Sequence, residues 1–390
     1  MKGHIYKRGT TYTYVIDLGK DPITNKRRQN SKGGFKTKKE AQAALAQVQT
    51  EFNQGLYINE SEITLKDFIE KWMKLYESTG KVKISTVRVR KHETNNMLLY
   101  FKEVKLKEIT GSMYQDFLLD LNKKFAENTL KGIHRTARMV FRKAIELKFI
   151  KSDPTEYAEL PRHQKTVEQL ENETGIPKYF EKSELKKFLN AAKKDGNPQV
   201  YTIFMTLAYT GMRVGELCAL KWKDIDFINK ELFIYKTYYN PTNNALEYTL
   251  LTPKTSTSKR KITIDDNLIK ELKRHRARQS ELILKIPSWL KEDFVFTKIL
   301  NCPGYPENIK QIESKMKQII RINNLDKEIT PHGLRHTHAS LLAQAGVSLE
   351  EIMERLGHKD DATTRNIYLH ITKDMKKEAS QKFSELMKGI

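Results

Sequence analysis

Residues 329–346, ITPHGLRHTHASLLAQAG, hold the densest set of reactive side chains in the chain. Thr330 and Pro331 open a helix there. On it His332 and Arg335 share a face at i+3, while Leu334, Ala339, Leu341 and Leu342 are free to face a core. A helix N-terminus carries the positive end of the backbone dipole and unpaired N–H groups, so a His and an Arg held at it make a site for a phosphate. The alternative is a metal, because His332 and His336 have the i+4 spacing of a zinc pair and His338 lies close by. Against that, the cationic Arg335 lies between them, no Glu follows His332 as in H-E-x-x-H, and no neighbouring Cys or carboxylate completes a ligand set. Neither a metal nor a cofactor is expected.

The elements that must position this cluster lie downstream of Tyr179. KSELKKFLNAAKK reads as a helix capped by Ser183, and YTIFMTLAYT as an apolar helix that stops at Gly211. ELFIYKTYY, LEYTLLT and RKITI then read as strands, divided by the turn-rich stretches Asn240 to Asn244 and Thr255 to Ser258. They predict a three-stranded antiparallel sheet inside a mainly helical domain. At the end, Met375, Ala379, Phe383 and Met387 recur at i+4 as a small amphipathic helix. Upstream, Asp153 to Pro177 carries three prolines and little periodicity, the pattern of an interdomain linker.

Two further segments precede the linker. From Gly3 to Lys32 aromatic and β-branched residues alternate with polar ones, which predicts a small antiparallel sheet. A helix from Lys38 follows, with Ala41, Leu45, Val48 and Phe52 toward the sheet, and this β-β-β-α unit ends near Leu56. Lys26, Arg27, Arg28 and Lys32 fall on its third strand, where they suit either a DNA groove or the defence of an edge strand. From Thr64 to Leu147 the pattern is helical. Phe68, Trp72 and Leu75 mark one helix, Ser85 and Ser112 cap two more, and a fourth buries Leu130, Ile133, Ala137, Val140, Ala144 and Leu147. Its other face carries Lys131, Arg135, Arg138 and Arg142 within about 60° of one another at about 100° per residue. The stripe itself holds no carboxylate, which favours phosphate contact over a solvated face.

With 70 Lys+Arg against 48 Asp+Glu, the 390 residues carry a formal charge of +22. An excess of that size points to a polyanion, and nucleic acid is the first candidate. A basic protein of membrane surfaces would show an amphipathic anchor or a lipidation site, and no membrane partner is expected. The start MKGHIYKRGTTYTYV has no apolar run after its charges, so a cytoplasmic, DNA-associated location is expected. Cys218 and Cys302 are too few and too far apart for a disulfide framework and read as structural thiols.

Four blocks in order, AYTGMRVGELCAL, TPKTSTSKRKI, TPHGLRHTHASLL and RLGHKDDATTRNIYLH, resemble the tyrosine recombinases, and among them the phage and conjugative-element integrases. The two N-terminal segments resemble that family's arm-type and core-binding domains, so the similarity spans nearly the whole chain. The resemblance implies an arm-type DNA-binding domain over 1–58 (sheet plus helix), an all-helical core-site DNA-binding domain over 63–160, and a catalytic domain over 175–390 that ends in an exchange helix. Arg213 matches the family's first arginine, Lys254 its hairpin lysine, His332 and Arg335 its H-x-x-R pair, His358 its His-or-Trp position and Tyr368 its nucleophile. Implied with them are a 3′-phosphotyrosyl intermediate, core-type and arm-type duplex sites, a homotetramer on DNA, and excisionase and DNA-bending proteins as accessory partners.

Physical chemistry supports each role. Two guanidiniums bind the equatorial oxygens of a phosphorane through paired N–H donors. A tyrosine hydroxyl, with a pKa of about 10, needs cationic surroundings and a proton acceptor, which His332 supplies. Lys254 on a turn suits protonation of the leaving 5′ oxygen, and His358 the donation of a hydrogen bond to a non-bridging oxygen. Covalent capture retains the bond energy, so religation needs no ATP; neither GKVKIS nor PKTSTSK has the glycines of a phosphate loop. Taken singly, Arg213 has an alternative in a salt bridge to Glu216, while Lys254, one of many surface lysines, and Tyr368, one of 17 tyrosines, are better explained without chemistry. A type IB topoisomerase and a catalytically degenerate DNA-binding regulator are the rival readings.

Overall fold

The structure is a computed structural model that describes residues 3–20, 27–53, 62–80, 82–161, 178–252, 259–358, 362–372 and 387. The chain divides into two compact units, Met1–Lys165 and Thr166–Ile390.

In the first unit β1 (Gly3–Arg8), β2 (Thr11–Lys20) and β3 (Arg27–Phe35) pair antiparallel in chain order. Tyr14 and Ile16, two apart on β2, are buried with Leu45 of α1 (Lys38–Asn53), and Ile5, Phe35 and Val48 close this small core. The expected sheet-plus-helix is present. The stretch expected to follow it to Leu56 lies beyond the described residues of α1.

The helical part of this unit comprises α2 (Leu65–Ser78), α3 (Ile84–Phe101), α4 (Gly111–Asn122) and α5 (Glu127–Glu146). On α5, Leu130, Ile133, Ala137, Val140 and Ala144 are fully buried, as the period predicts, but Leu147 is the C-cap residue and is 36% exposed. Two expected caps are displaced. Thr110 rather than Ser112 caps α4, accepting from the Met113 N–H, and α3 begins after Lys83 with no side-chain cap, so Ser85 lies inside its first turn.

The second unit holds the largest core. Its α6 (Lys182–Asp195) is capped by Glu181 in a reciprocal box with Glu184, so Ser183, the expected cap, falls inside the helix. Asn197 caps α7 (Pro198–Thr210), an apolar helix buried on nearly all sides, as a central core helix must be. It ends at Gly211, whose φ of 64° is left-handed and where a Cβ would stand 2.7 Å from both His338 and Leu356 side chains. The short α8 (Val214–Cys218) follows.

The strands β4 (Ile225–Asp226), β5 (Glu231–Ile234), β6 (Thr237–Tyr239), β7 (Thr249–Leu251) and β8 (Arg260–Thr263) form two sheets, β4-β5-β8 and β6-β7, and not the single three-stranded sheet expected. ELFIYKTYY breaks at Tyr235 and Lys236, where the Lys236 ammonium turns inward to the buried Asp224 carboxylate. Tyr235 and Lys236 lie outside both ladders, and the chain changes sheet there. The unit continues with α9 (Asp266–Lys285), α10 (Ile309–Ile322), α11 (Pro331–Gln344), α12 (Leu349–Leu356) and a helix over 362–372, here α13. The expected C-terminal amphipathic helix falls, apart from Met387, outside the described residues, as does most of the linker. No helix among the described residues is long and apolar enough to cross a membrane.

Candidate active site

Arg213 caps α8, directly after the left-handed turn at Gly211. Its backbone N–H donates to Glu216 Oε2 at 2.9 Å and its guanidinium to Glu216 Oε1 at 3.0 Å, so the salt bridge proposed as its bland explanation exists. Glu216, with its side chain 4% exposed, also accepts from Arg260 at 2.8 Å. Burial pushes the Glu216 carboxyl up, but the Arg260 and Arg213 guanidiniums and the Arg213 amide outweigh it and hold the group below the usual carboxylate range. Arg213 is thus braced by a shared carboxylate while its side chain stays 38% exposed.

Arg335 is buried on α11. It donates to Gly211 O at 2.8 Å and Leu356 O at 2.6 Å, and reaches His358 Nε2 at 2.6 Å. The α12 helix ends in a left-handed Gly357, and the His358 amide folds back onto Met353 O, which is why Gly-His closes this helix and aims His358 inward. Because a guanidinium only donates, His358 Nε2 is the acceptor, and Nδ1 carries the proton toward Thr364 Oγ1 of α13 at 3.2 Å. Expectation gave His358 a donor role; here its Nε2 is turned to Arg335 as an acceptor.

Arg260 closes the circuit: its Nε donates to Arg355 O at 2.8 Å, one residue before the carbonyl that Arg335 uses. Two hydrogen-bonded chains, Arg213 with Glu216 and Arg260, and Arg335 with His358, therefore meet at the adjacent carbonyls of Arg355 and Leu356 and form one network through the end of α12. Tyr368 of α13 packs on the cluster of Ala339, Ala343, Ile352, Leu356, Ile367 and Ile371, which shares Leu356 with the network. His332 is exposed one turn before Arg335, its ring edge-on to His336 at 4.9 Å between centroids. His338 turns away, with Nδ1 on Ala208 O at 2.8 Å. Among the described residues no group of three or more His, Cys, Asp or Glu is placed to hold a metal. Lys254 lies outside the described residues, on the stretch joining β7 to β8.

Arg260 escaped the sequence reading, although a signal exists. β8 alternates buried and exposed, and Arg260 occupies the inward register with Ile262. A cation there demands a buried anion.

The cations of the first unit divide. Arg27 pairs with Asp17 at 2.7 Å, Lys32 is exposed, and Lys26 and the Arg28 side chain lie outside the described residues. On α5, Arg135 and Arg142 are exposed, but Lys131 pairs with Glu127 at 2.5 Å, one turn upstream, so the stripe is not free of carboxylates as expected. Arg138 is partly buried with an enclosed Nε. Burial, and then the Arg138 charge, holds the nearby His134 below the usual imidazole range.

Residues 178–375 match the phage integrase family, 4–52 the arm DNA-binding domain and 64–122 the phage integrase N-terminal SAM-like domain. The chain belongs to the phage integrase family. It is 30% identical over 344 residues to the integrase of Staphylococcus phage L54a, covering 83% of this chain and 94% of that one. To the ICEBs1 integrase of Bacillus subtilis it is 27% identical, with 96% and 97% covered. Its fold is similar to that of the Tn1549 transposon integrase solved in complex with a circular intermediate DNA (TM-score 0.63, 22% identity, 82% of this chain and 99% of that chain). It is also similar to the lambda integrase tetramer solved on a Holliday junction (TM-score 0.57, 18% identity, 93% and 94%). This integrase is a site-specific tyrosine recombinase of the phage and conjugative-element type. The three-module match decides against a type IB topoisomerase.

Proposed function

We propose that the integrase cleaves and rejoins double-stranded DNA through Tyr368, which attacks a backbone phosphate to give a 3′-phosphotyrosyl link and a free 5′ hydroxyl, and so moves a prophage or conjugative element into and out of a chromosome. The observation that carries this reading is the network in which Glu216, Arg260 and the end of α12 hold Arg213, Arg335 and His358 together over the cluster that seats Tyr368. Two guanidiniums fixed before substrate arrives cost no reorganisation when charge develops on the phosphorane. Arg213, partly exposed, is ready to meet an incoming oxygen. Arg335 meets one when the phosphate replaces His358 as its acceptor, which frees the imidazole to take a proton and donate to the same phosphate. His332, exposed beside Arg335, accepts the tyrosine proton, and Lys254 protonates the leaving oxygen.

Residues 1–58 act as the arm-type and 63–160 as the core-type DNA-binding domain, with Lys26, Arg27, Arg28 and Lys32 and the α5 face as contacts. Residues 175–390 do the chemistry in a homotetramer on DNA, with excisionase and DNA-bending proteins as accessory partners. The test is a nicked duplex that spans the element's end. Wild type is expected to accumulate a covalent adduct, and Tyr368→Phe to bind equally and form none. Binding without any adduct from wild type sinks the proposal and leaves a DNA-binding regulator.

A further inference from the structure

Among the described residues no hydrogen bond or ion pair joins Arg355 to a candidate catalytic side chain, yet each contact of its side chain falls on an element that carries or adjoins one. Its Nε donates to His338 Nε2 on α11 at 3.0 Å. Its NH2 donates to Thr263 O on β8 at 3.0 Å and to Tyr209 O on α7 at 3.4 Å. Its own carbonyl accepts from Arg260, and the next carbonyl, Leu356 O, accepts from Arg335. The α7 helix leads into Arg213, β8 follows the stretch that contains Lys254, α11 carries His332 and Arg335, and α12 ends at His358.

The His338 contact has a fixed polarity. A backbone carbonyl only accepts, so Nδ1 must donate to Ala208 O, and Nε2 is left as the acceptor that Arg355 requires. His338 is 6% exposed, and Gly211 approaches it so closely that a Cβ there would collide with its ring. The imidazole therefore has one tautomer and little room to turn.

We infer that Arg355 is a positioning residue. Its planar fork fixes the last turn of α12 against α7, β8 and α11, and so sets the His358 ring against Arg335 before DNA is bound. The inference rests on the assignment of Arg335 and His358 to catalysis. A lysine cannot reproduce it, because one ammonium has no planar set of donors to span three elements.

The experiment uses the full-length protein on the nicked duplex, with wild-type adduct formation as the independent control for the assignment itself. Arg355→Lys is expected to slow adduct formation about tenfold or more while the DNA dissociation constant stays within about twofold. A double-mutant cycle with His358→Ala then separates positioning from general weakening. If Arg355 acts through His358, Arg355→Lys should cost less than about threefold in the His358→Ala background. Multiplicative effects, or an unchanged rate in the folded single variant, overturn the inference. Should Arg355→Lys fail to fold, His338→Asn takes its place in the same cycle, since it keeps a donor near the Nδ1 position and removes Nε2.

Discussion

His338 shows how one buried ring makes the site sensitive to acid. Burial, and then the Arg355 charge, lowers its pKa from 6.5 to about 4, so the folded protein keeps it neutral where an unfolded chain would take up a proton. The unfolded state binds the extra proton between pH 6.5 and about 4, so this contribution is complete above 6.5 and is lost as pH falls through that window. At about 1.4 kcal/mol per pKa unit it amounts to roughly 3 to 4 kcal/mol at most. Glu216 acts in the same direction but only lower down, because its carboxyl is held below the usual carboxylate range when folded. His338→Phe should therefore flatten the fall in urea midpoint between pH 7 and 4.5 relative to wild type, and equal slopes would refute the account. The residues legible in the sequence from local spacing were His332 with Arg335, whereas His358 and Tyr368 took their meaning from the resemblance of whole blocks. Arg355 and His338 were not, because their hydrogen bond joins positions 17 apart on separate helices and neither type is unusual where it stands.

At the scale of elements, helix and strand identity followed from periodicity, whereas ends and pairings depended on partners far along the chain. Ser85, Ser112 and Ser183 all resemble caps, but each helix had already begun at Lys83, Thr110 or Glu181. The expected sheet splits at Tyr235 and Lys236, where Lys236 meets Asp224, 12 residues away, a pairing that no alternation of strand residues encodes. The stop of α7 at Gly211 was legible, and the structure gives it a second reason. Gly211 is left-handed, its carbonyl takes the Arg335 guanidinium, and the space beside its Cα is filled by His338 and Leu356. Gly211→Ala must then bear a left-handed penalty of about 1 kcal/mol or more, together with displacement of two buried side chains that frame the network. A loss of at least about 2 kcal/mol in urea unfolding is expected, with slower adduct formation at saturating DNA. A fully stable variant would show that α11 and α12 yield at this point.

For the whole molecule the open quantity is how the charge of +22 divides between general attraction and particular phosphate contacts. The described residues sort the cations of the first unit. Arg27 and Lys131 are neutralised locally by Asp17 and Glu127, and Arg138 is partly enclosed. Arg135 and Arg142 remain exposed on α5 with no ion pair among the described residues. If they meet the backbone, each releases a condensed counterion on binding, and the double variant Arg135→Ala/Arg142→Ala should make the slope of log affinity against log salt shallower by about 1.8, at about 0.9 per phosphate. Lys270→Ala/Lys273→Ala removes the same charge from exposed positions on α9 in the other unit and is expected to leave the slope nearly unchanged. Titrating both variants and wild type between 50 and 200 mM salt (a range of about fourfold) decides the matter. Equal changes in the two variants would mean that bulk charge draws the protein to DNA and that the α5 face makes no contacts of its own. A change confined to Arg135 and Arg142 would place duplex backbone along α5, where its apolar stripe anchors the helix to the core and leaves these two arginines exposed.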